Sequence, residues 1–252
     1  VLSEKVQIRG LAANGIWRNF NGKPTGSMYA LRFLILLLIF SSCQPEPGFD
    51  VVIRGGQLLD GSGSPAIRAD LGIRGDTIAA IGDLSGRKAK TEIDATGLHL
   101  APGFINMLSW ANVSLLEDGR SQSDIRQGVT LEVLGEGRSM GPLNEEMKRE
   151  MRNGQQDFTY DIPWTTLGEY LQHLEERGVS TNVASFVGNG TLREYVMGYE
   201  KRAPTPAEMD SMKTLLRRGM EEGAVGLSTS LIYVPSGHAS TGEITDLARV
   251  VS

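Results

Sequence analysis

Apolar and polar positions change their spacing once along this chain, near Gly103. Before it, short β-prone runs at 50–53, 57–59, 70–74 and 77–81 are separated by Gly pairs and Gly-Asp. That pattern predicts a meander of small strands. Residues 92–94 and 99–100 add two more short pieces. After Gly103 the pattern becomes strand–helix alternation. Residues 104–108 read as a buried strand and 121–127 as a short helix stopped by Gly128. Residues 129–134 form the next strand, with Val129, Leu131 and Val133 sharing a face. Thr166-Leu-Gly-Glu169 is a capping box that opens a helix with Leu167, Tyr170, Leu171 and Leu174 on one stripe, closed by Gly178. Residues 182–187 follow as a strand. Thr205-Pro-Ala-Glu208 is a second capping box, with Pro206 at the first helical position. Its helix carries Met209, Met212, Leu215, Leu216 and Met220 toward a core and closes at Gly223. Residues 224–232 read as a fourth strand and 241–251 as a fourth helix. Such alternation predicts an α/β fold with a parallel sheet. Periodicity alone does not separate a barrel from a doubly wound sheet.

The amino end follows other rules. Met28-Tyr-Ala-Leu-Arg32 is a short segment with one positive charge, residues 33–40 are an unbroken apolar run, and Ser41-Ser42-Cys43 follows. The run is too short for a bilayer-spanning helix, which needs about 20 residues. Charge, apolar run and small residues in this order predict a signal peptide over 28–43. Small residues directly before Cys43 resemble a bacterial lipobox, which makes Cys43 the expected lipidation site. The protein is then exported, as a periplasmic or outer-membrane-anchored lipoprotein of a bacterium. The alternative is a buried apolar segment with an incidental thiol. Residues 1–27 show no sustained period and read as an upstream extension ahead of the initiator Met28, and residues 44–48 as a linker.

Composition narrows the classes. A net charge of −5 gives no electrostatic reason to expect a nucleic acid partner. A single cysteine excludes an intrachain disulfide framework. No Ser-His-Asp order, phosphate-binding Gly-Lys-Ser/Thr loop or Cys-x-x-Cys pair occurs.

Three stretches, "FDVVIRGGQLLDGSG", "IRADLGIRGDTIAAIGDL" and "IDATGLHLAPGFINM", stand in the order and spacing that open an amidohydrolase-superfamily chain. The sequence from Phe49 onward resembles the N-acyl-D-amino-acid deacylase (D-aminoacylase) family. The resemblance implies a (β/α)8 TIM-type metallo-hydrolase barrel, its first half at 102–252, preceded by strands of a small β-sandwich at 49–101. It implies hydrolysis of an amide bond in an N-acyl amino acid or related small molecule, with zinc as cofactor. Rival readings are a single-metal enzyme acting on other amides, and a non-catalytic binding protein on the same barrel.

The metal motifs depart from the family. Where it reads "PGFID-x-H-x-H", this chain has Asn106, Leu108 and Trp110, so one of two metal positions lacks its ligands. One ion is expected, with two as the alternative. Where the family reads "V-V-G-N-C-G", with a metal-binding cysteine, this chain has Val133-Leu-Gly-Glu-Gly. Glu136 is the candidate ligand there, because a carboxylate oxygen binds zinc without loss of charge. The alternatives are a solvated loop glutamate or a pair with Arg138. Val187-Gly-Asn-Gly-Thr-Leu-Arg193 resembles "V-G-H-G-x-L-R" and makes Arg193 a candidate for a substrate carboxylate. The alternative is an Arg bonded to backbone or to Glu194. Residues 228–241 resemble a segment that lines the substrate pocket, with Tyr233 the expected contact. His238 is a weaker candidate for a metal ligand or base, since the family carries a non-ligand there and a general base needs partners to hold and tune it; His99 and His173 read as surface or packing residues. The remaining ligands and the catalytic base are expected beyond Ser252. Mass spectrometry of the mature protein is expected to find acylated Cys43 at its amino end; tryptic peptides from residues 1–27 would refute this processing.

Overall fold

The computed structural model describes residues 48–252, and the signal segment with Cys43 lies outside them. The described chain forms two compact units. One comprises residues up to Leu59 with Pro65–Leu100, the other Asp60–Ser64 with Ala101–Ser252.

In the first unit the strands are β1 (Phe49–Leu58), β2 (Ile67–Arg74), β3 (Thr77–Gly82), β4 (Ala89–Asp94) and β5 (His99–Leu100). They make one mixed sheet in the order β3-β2-β1-β4, with β5 also on β1. β1 runs antiparallel to β2 and parallel to β4 and β5. The runs predicted at 50–53 and 57–59 are one strand, because the register with β2 slips between Ile53 and Gly56. Gly55 takes a left-handed φ of 70° at that slip, as a bulge of this kind needs. Phe49, Val52 and Leu84 pack in one small cluster, Leu58, Ala69 and Leu71 in another.

The second unit is α/β. Its strands β6 (Phe104–Asn106), β7 (Val129–Leu134) and β8 (Asn182–Ser185) form a parallel sheet in chain order. β9 (Val187–Gly188) pairs in parallel with β10 (Leu227–Ser228). Bonds from the Phe186 amide to the Leu134 carbonyl and from the Val225 amide to the Ser185 carbonyl link the two sheets. Between strands run α1 (Ser114–Glu117), α2 (Gln122–Ile125), α3 (Glu145–Asn153), α4 (Leu167–Arg177), α5 (Asn189–Met197) and α6 (Pro206–Glu221), and α7 (Thr241–Ala248) follows β10. Among the described residues no helix is long and apolar enough to cross a membrane.

Both capping boxes form. Thr166 and Glu169 exchange bonds at the start of α4, and Thr205 and Glu208 at the start of α6. The core gathers Leu134 of β7 with Tyr170 and Leu174 of α4, Leu192 of α5, Met212 and Leu216 of α6, and Leu247 of α7. Trp164 lies within it, and its indole N–H donates to the Met140 carbonyl at 2.8 Å. On β7 the face packed under helices is that of Glu132 and Leu134, both 0% exposed; Val129 and Leu131 on the other face are only half-buried.

Three expectations need correction. The strand at 104–108 is shorter and not buried: Phe104 and Ile105 are 59% and 55% exposed. Among the described residues β6 pairs with β7 alone, which leaves its other edge without a strand. The strand at 224–232 shrinks to Leu227–Ser228, because the chain then turns, the Tyr233 amide bonding to the Ser230 carbonyl. Helices α3 and α5 were not anticipated; α5 begins inside the Gly-Asn-Gly stretch that reads as a loop.

The start of α6 gives a pH signature. Arg202 donates both terminal nitrogens to the Glu208 carboxylate at 2.7 Å, and the Thr205 amide adds a third bond. The guanidinium, first, and then this amide lower the Glu208 pKa from 4.5 to about 2. A depressed carboxyl stabilises the fold above its unfolded pKa and loses that contribution as pH falls through the folded value. The Tm gap between wild type and Glu208→Gln is therefore expected in full above pH 4.5 and to close near pH 2. A gap that stays constant over this range in thermal denaturation would refute the assignment.

Candidate functional site

Ligands in parallel α/β folds collect at the carboxyl ends of the strands. There a cleft of about 400 Å³ is lined by Ser109 and Trp110 after β6, Glu136 and Arg138 after β7, and Ser230, Tyr233 and Ser236 after β10. Glycines set its floor. Gly135 and Gly137 have φ of 89° and 66°, in the left-handed region. A Cβ on Gly137 would lie 2.4 Å from the Ser230 Cβ, and one on Gly135 2.4 Å from the Phe186 carbonyl oxygen. Ser228 holds this loop at both sides of Glu136. Its hydroxyl donates to the Gly135 carbonyl at 2.5 Å and accepts the Gly137 amide at 3.0 Å. The loop between β7 and α3 is thus pinned to the end of β10 with Glu136 at its crest.

Of the expected site residues, Glu136 and Tyr233 come together in this cleft. Glu136 is half-buried, and among the described residues no side-chain partner engages its carboxylate. It does not pair with Arg138, which forms an ion pair with Glu194 and donates to the Tyr199 hydroxyl at 3.0 Å. Tyr233 meets Trp110 edge to face, with ring centroids 6.4 Å apart. Arg193 is elsewhere, and the expectation that it binds substrate is corrected. Its side chain is fully buried, bonded to Glu243 at 2.5 Å and to the carbonyls of Glu200 and Arg202. Its Nε–H alone lacks a partner, and that atom is buried with the rest of the side chain, out of reach of a substrate carboxylate. Asn189 is buried beside the same pair and donates to Glu243. His238 sits half-buried in the short helical turn Ser236–His238, outside the cleft lining. His173 packs on the Trp164 ring and His99 is exposed on β5.

Residues that the sequence reading passed over also shape the site. Ser228 is one. Glu132 is another: fully buried on β7, it accepts hydrogen bonds from Ser109, Ser121 and Thr181. An acidic residue inside an apolar strand was the available signal, since such a group is costly to bury without partners.

No family model matches the chain. Individual relatives do. The D-aminoacylase of Alcaligenes xylosoxydans xylosoxydans is 39% identical over 216 residues, 84% of this chain and 43% of the relative. The chain is a homologue of the D-aminoacylases, which are amidohydrolases. A crystal structure of D-aminoacylase, described as defining a novel subset of amidohydrolases, superposes with a TM-score of 0.71 at 35% identity, over 81% of this chain and 43% of that one. N-acyl-D-glutamate deacylase of Bordetella bronchiseptica, complexed with zinc and a phosphonate mimic of the tetrahedral intermediate, gives 0.69 at 35% identity, over 80% and 42%. The chain therefore spans about two fifths of the length of the curated relatives it matches.

The zinc of that deacylase complex sets a test for this chain. A zinc ion takes three or four N, S or O ligands from the protein. Among the described residues no group of three His, Cys, Asp or Glu could hold a metal ion. In the cleft lining Glu136 is the sole residue of those types, and Trp110, which lines the same cleft, offers no lone pair for a metal. The described residues do not make a zinc site by themselves.

The Gly137 contact is testable. A left-handed non-glycine residue costs about 1–2 kcal/mol and overpacking about 1–3 more. Gly137→Ala is expected to lower stability by about 3 kcal/mol. Gly178→Ala, with a φ of 78° and open space at the Cβ, should cost about 1 kcal/mol. Equal losses in denaturant unfolding would show that the cleft floor is not closely packed.

Proposed function

We propose that this chain is part of an enzyme that hydrolyses the amide C–N bond of N-acyl-D-amino acids, releasing a carboxylate and a free amino acid. The observation that carries the reading is the 39% identity with D-aminoacylase across 84% of this chain. In this reading the second unit opens a (β/α)8 barrel, whose strands β6, β7, β8–β9 and β10 already follow one another in chain order. The first unit supplies strands of a small β-sandwich. Tyr233 and Trp110 form an aromatic wall that orients the substrate, and the Gly135–Gly137 turn presents Glu136 toward it. Zinc is the proposed cofactor of the whole protein, one ion rather than two. Glu136 is the ligand this chain offers, and the others would come from outside the described residues. The lipobox-like sequence before Cys43 supports export and attachment to a membrane through that residue.

A second reading is favoured by Leu108 and Trp110, which put apolar surface where ligands are expected: a binding protein on the same scaffold, holding the same small molecules without cleaving them. One experiment separates the two. The full-length protein is assayed for amine release from N-acetyl-D- and N-acetyl-L-amino acids, beside calorimetric binding and zinc analysis. The enzyme reading expects turnover of D isomers, and Glu136→Ala should lose zinc and at least about 100-fold in activity. Binding without turnover would establish the second reading. Unchanged zinc content in Glu136→Ala would remove that residue from the metal site.

A further inference from the structure

Glu132 is the most unusual residue of the second unit. Its carboxylate is 0% exposed, and its partners are three hydroxyls from three separate segments. Ser109 donates to Oε2 at 2.7 Å, while Ser121 and Thr181 donate to Oε1 at 2.8 and 2.9 Å. Among the described residues no cation pairs with it. A carboxyl group buried without a counter-ion is a poor way to add stability, since an apolar side chain could fill the same space at lower cost. What such a group supplies is direction, because each bond fixes one donor segment.

The Ser109 bond reaches the cleft. The Ser109 amide donates to the carbonyl of Val133, the residue after Glu132, at 3.0 Å. The Ser109 hydroxyl, besides donating to Glu132, accepts the Ala111 amide at 3.2 Å. Both neighbours of Trp110 are therefore tied to β7 through Glu132 and Val133. Trp110 is 62% exposed as a residue, and its ring meets Tyr233 edge to face. The backbone held at Ser109 and Ala111 sets where the ring starts, and the edge-to-face contact with Tyr233 selects its rotamer there. Ser121 adds to the constraint: it has a left-handed φ of 45°, unfavourable for a residue with a Cβ, and its side chain is bonded to the same carboxylate.

We propose that Glu132 is a positioning residue for the cleft: through Ser109 it fixes the Trp110 ring and thereby selects the apolar part of the substrate. The substrate half of this statement rests on the deacylase reading; the placement of Trp110 does not.

The test uses the full-length protein and the variants Ser109→Ala, Glu132→Gln, both together, and Trp110→Phe. The near-UV circular dichroism of wild type minus Trp110→Phe isolates the Trp110 signal. Ser109→Ala and Glu132→Gln are expected to lose that signal while far-UV ellipticity is kept. They should raise KM for N-acyl-D-amino acids about tenfold, the worth of one hydrogen bond to a charged group, with kcat falling less than KM rises. The double variant should be no worse than either single one, because both act on one bond. Thr205→Ala, destabilised by loss of a helix cap, should keep both the Trp110 signal and the KM of wild type. If Glu132→Gln does not fold, Ser109→Ala decides. An unchanged Trp110 signal in Ser109→Ala, or the same loss in Thr205→Ala, would overturn the proposal. Absence of turnover in wild type would defeat the deacylase reading alone, and the dichroism would still judge Glu132.

Discussion

The ends of parallel strands meet here backbone against backbone, and that contact is open only to residues without a Cβ. Gly135 lies against the Phe186 carbonyl and Gly188 against the Gly137 carbonyl; at either position a Cβ would come within 2.4 Å of that oxygen. Side chains at these crossings would force the strand ends apart, and the hydroxyl of Ser228 could no longer reach both Gly135 and Gly137. Glu136 would then lose its fixed place at the crest of the turn. The position of the cleft's carboxylate thus follows from the close packing of the two glycines that flank it. Because interiors pack at crystal-like density, such a contact cannot relax by small adjustments.

Buried charge is handled in two ways in this unit. Arg193 and Glu243 neutralise each other between α5 and α7, with the Glu200 and Arg202 carbonyls taking further guanidinium bonds. Glu132 instead relies on neutral hydroxyls. Neither is a good source of net stability, since desolvation of an ion pair offsets much of its attraction. Both make particular segments depend on each other: α7 on α5 in one case, and the β6 loop, the start of α2 and the entry to β8 in the other. Arg193 is a candidate substrate ligand by the resemblance of its segment to the family's V-G-H-G-x-L-R motif, and a guanidinium is well suited to a carboxylate. A carboxylate from its own chain occupies it.

How much of this was legible in the sequence depends on how local the determinant is. The capping boxes at Thr166 and Thr205 were readable because every participant lies within four residues. The strand β7 was readable from its alternation, though which face the helices would cover was not, since Thr130, Glu132 and Leu134 alternate as regularly as their neighbours. Tyr233 and Glu136 could be placed in one cleft through the family likeness of their segments. Ser228 bonding across to Gly135 and Gly137, more than ninety residues away in sequence, leaves no periodic trace. Helix α5 was hidden for a different reason. Gly188-Asn189-Gly190 carries two of the residues that most often break helices, yet Gly190 approaches the Gly137 carbonyl so closely that a larger residue would not fit.

The electrostatics of the cleft bear on how a substrate could lie in it. Arg138 is the cation in its lining, but Glu194 and the Tyr199 ring already engage that guanidinium. Glu136 has no such partner among the described residues, so the Glu136 side of the cleft is its more acidic side. At an effective dielectric near 20, two like charges about 4 Å apart repel by about 4 kcal/mol. A molecule carrying its own carboxylate is therefore disfavoured from placing it beside Glu136. A cation is favoured there, in keeping with the metal role proposed for Glu136, and a carboxylate is directed toward the exposed edge of Arg138. Trp110 and Tyr233 offer the remaining wall to whatever apolar group completes the molecule. Three kinds of surface converge on one cleft: an acidic side at Glu136, the exposed edge of a guanidinium, and an aromatic wall.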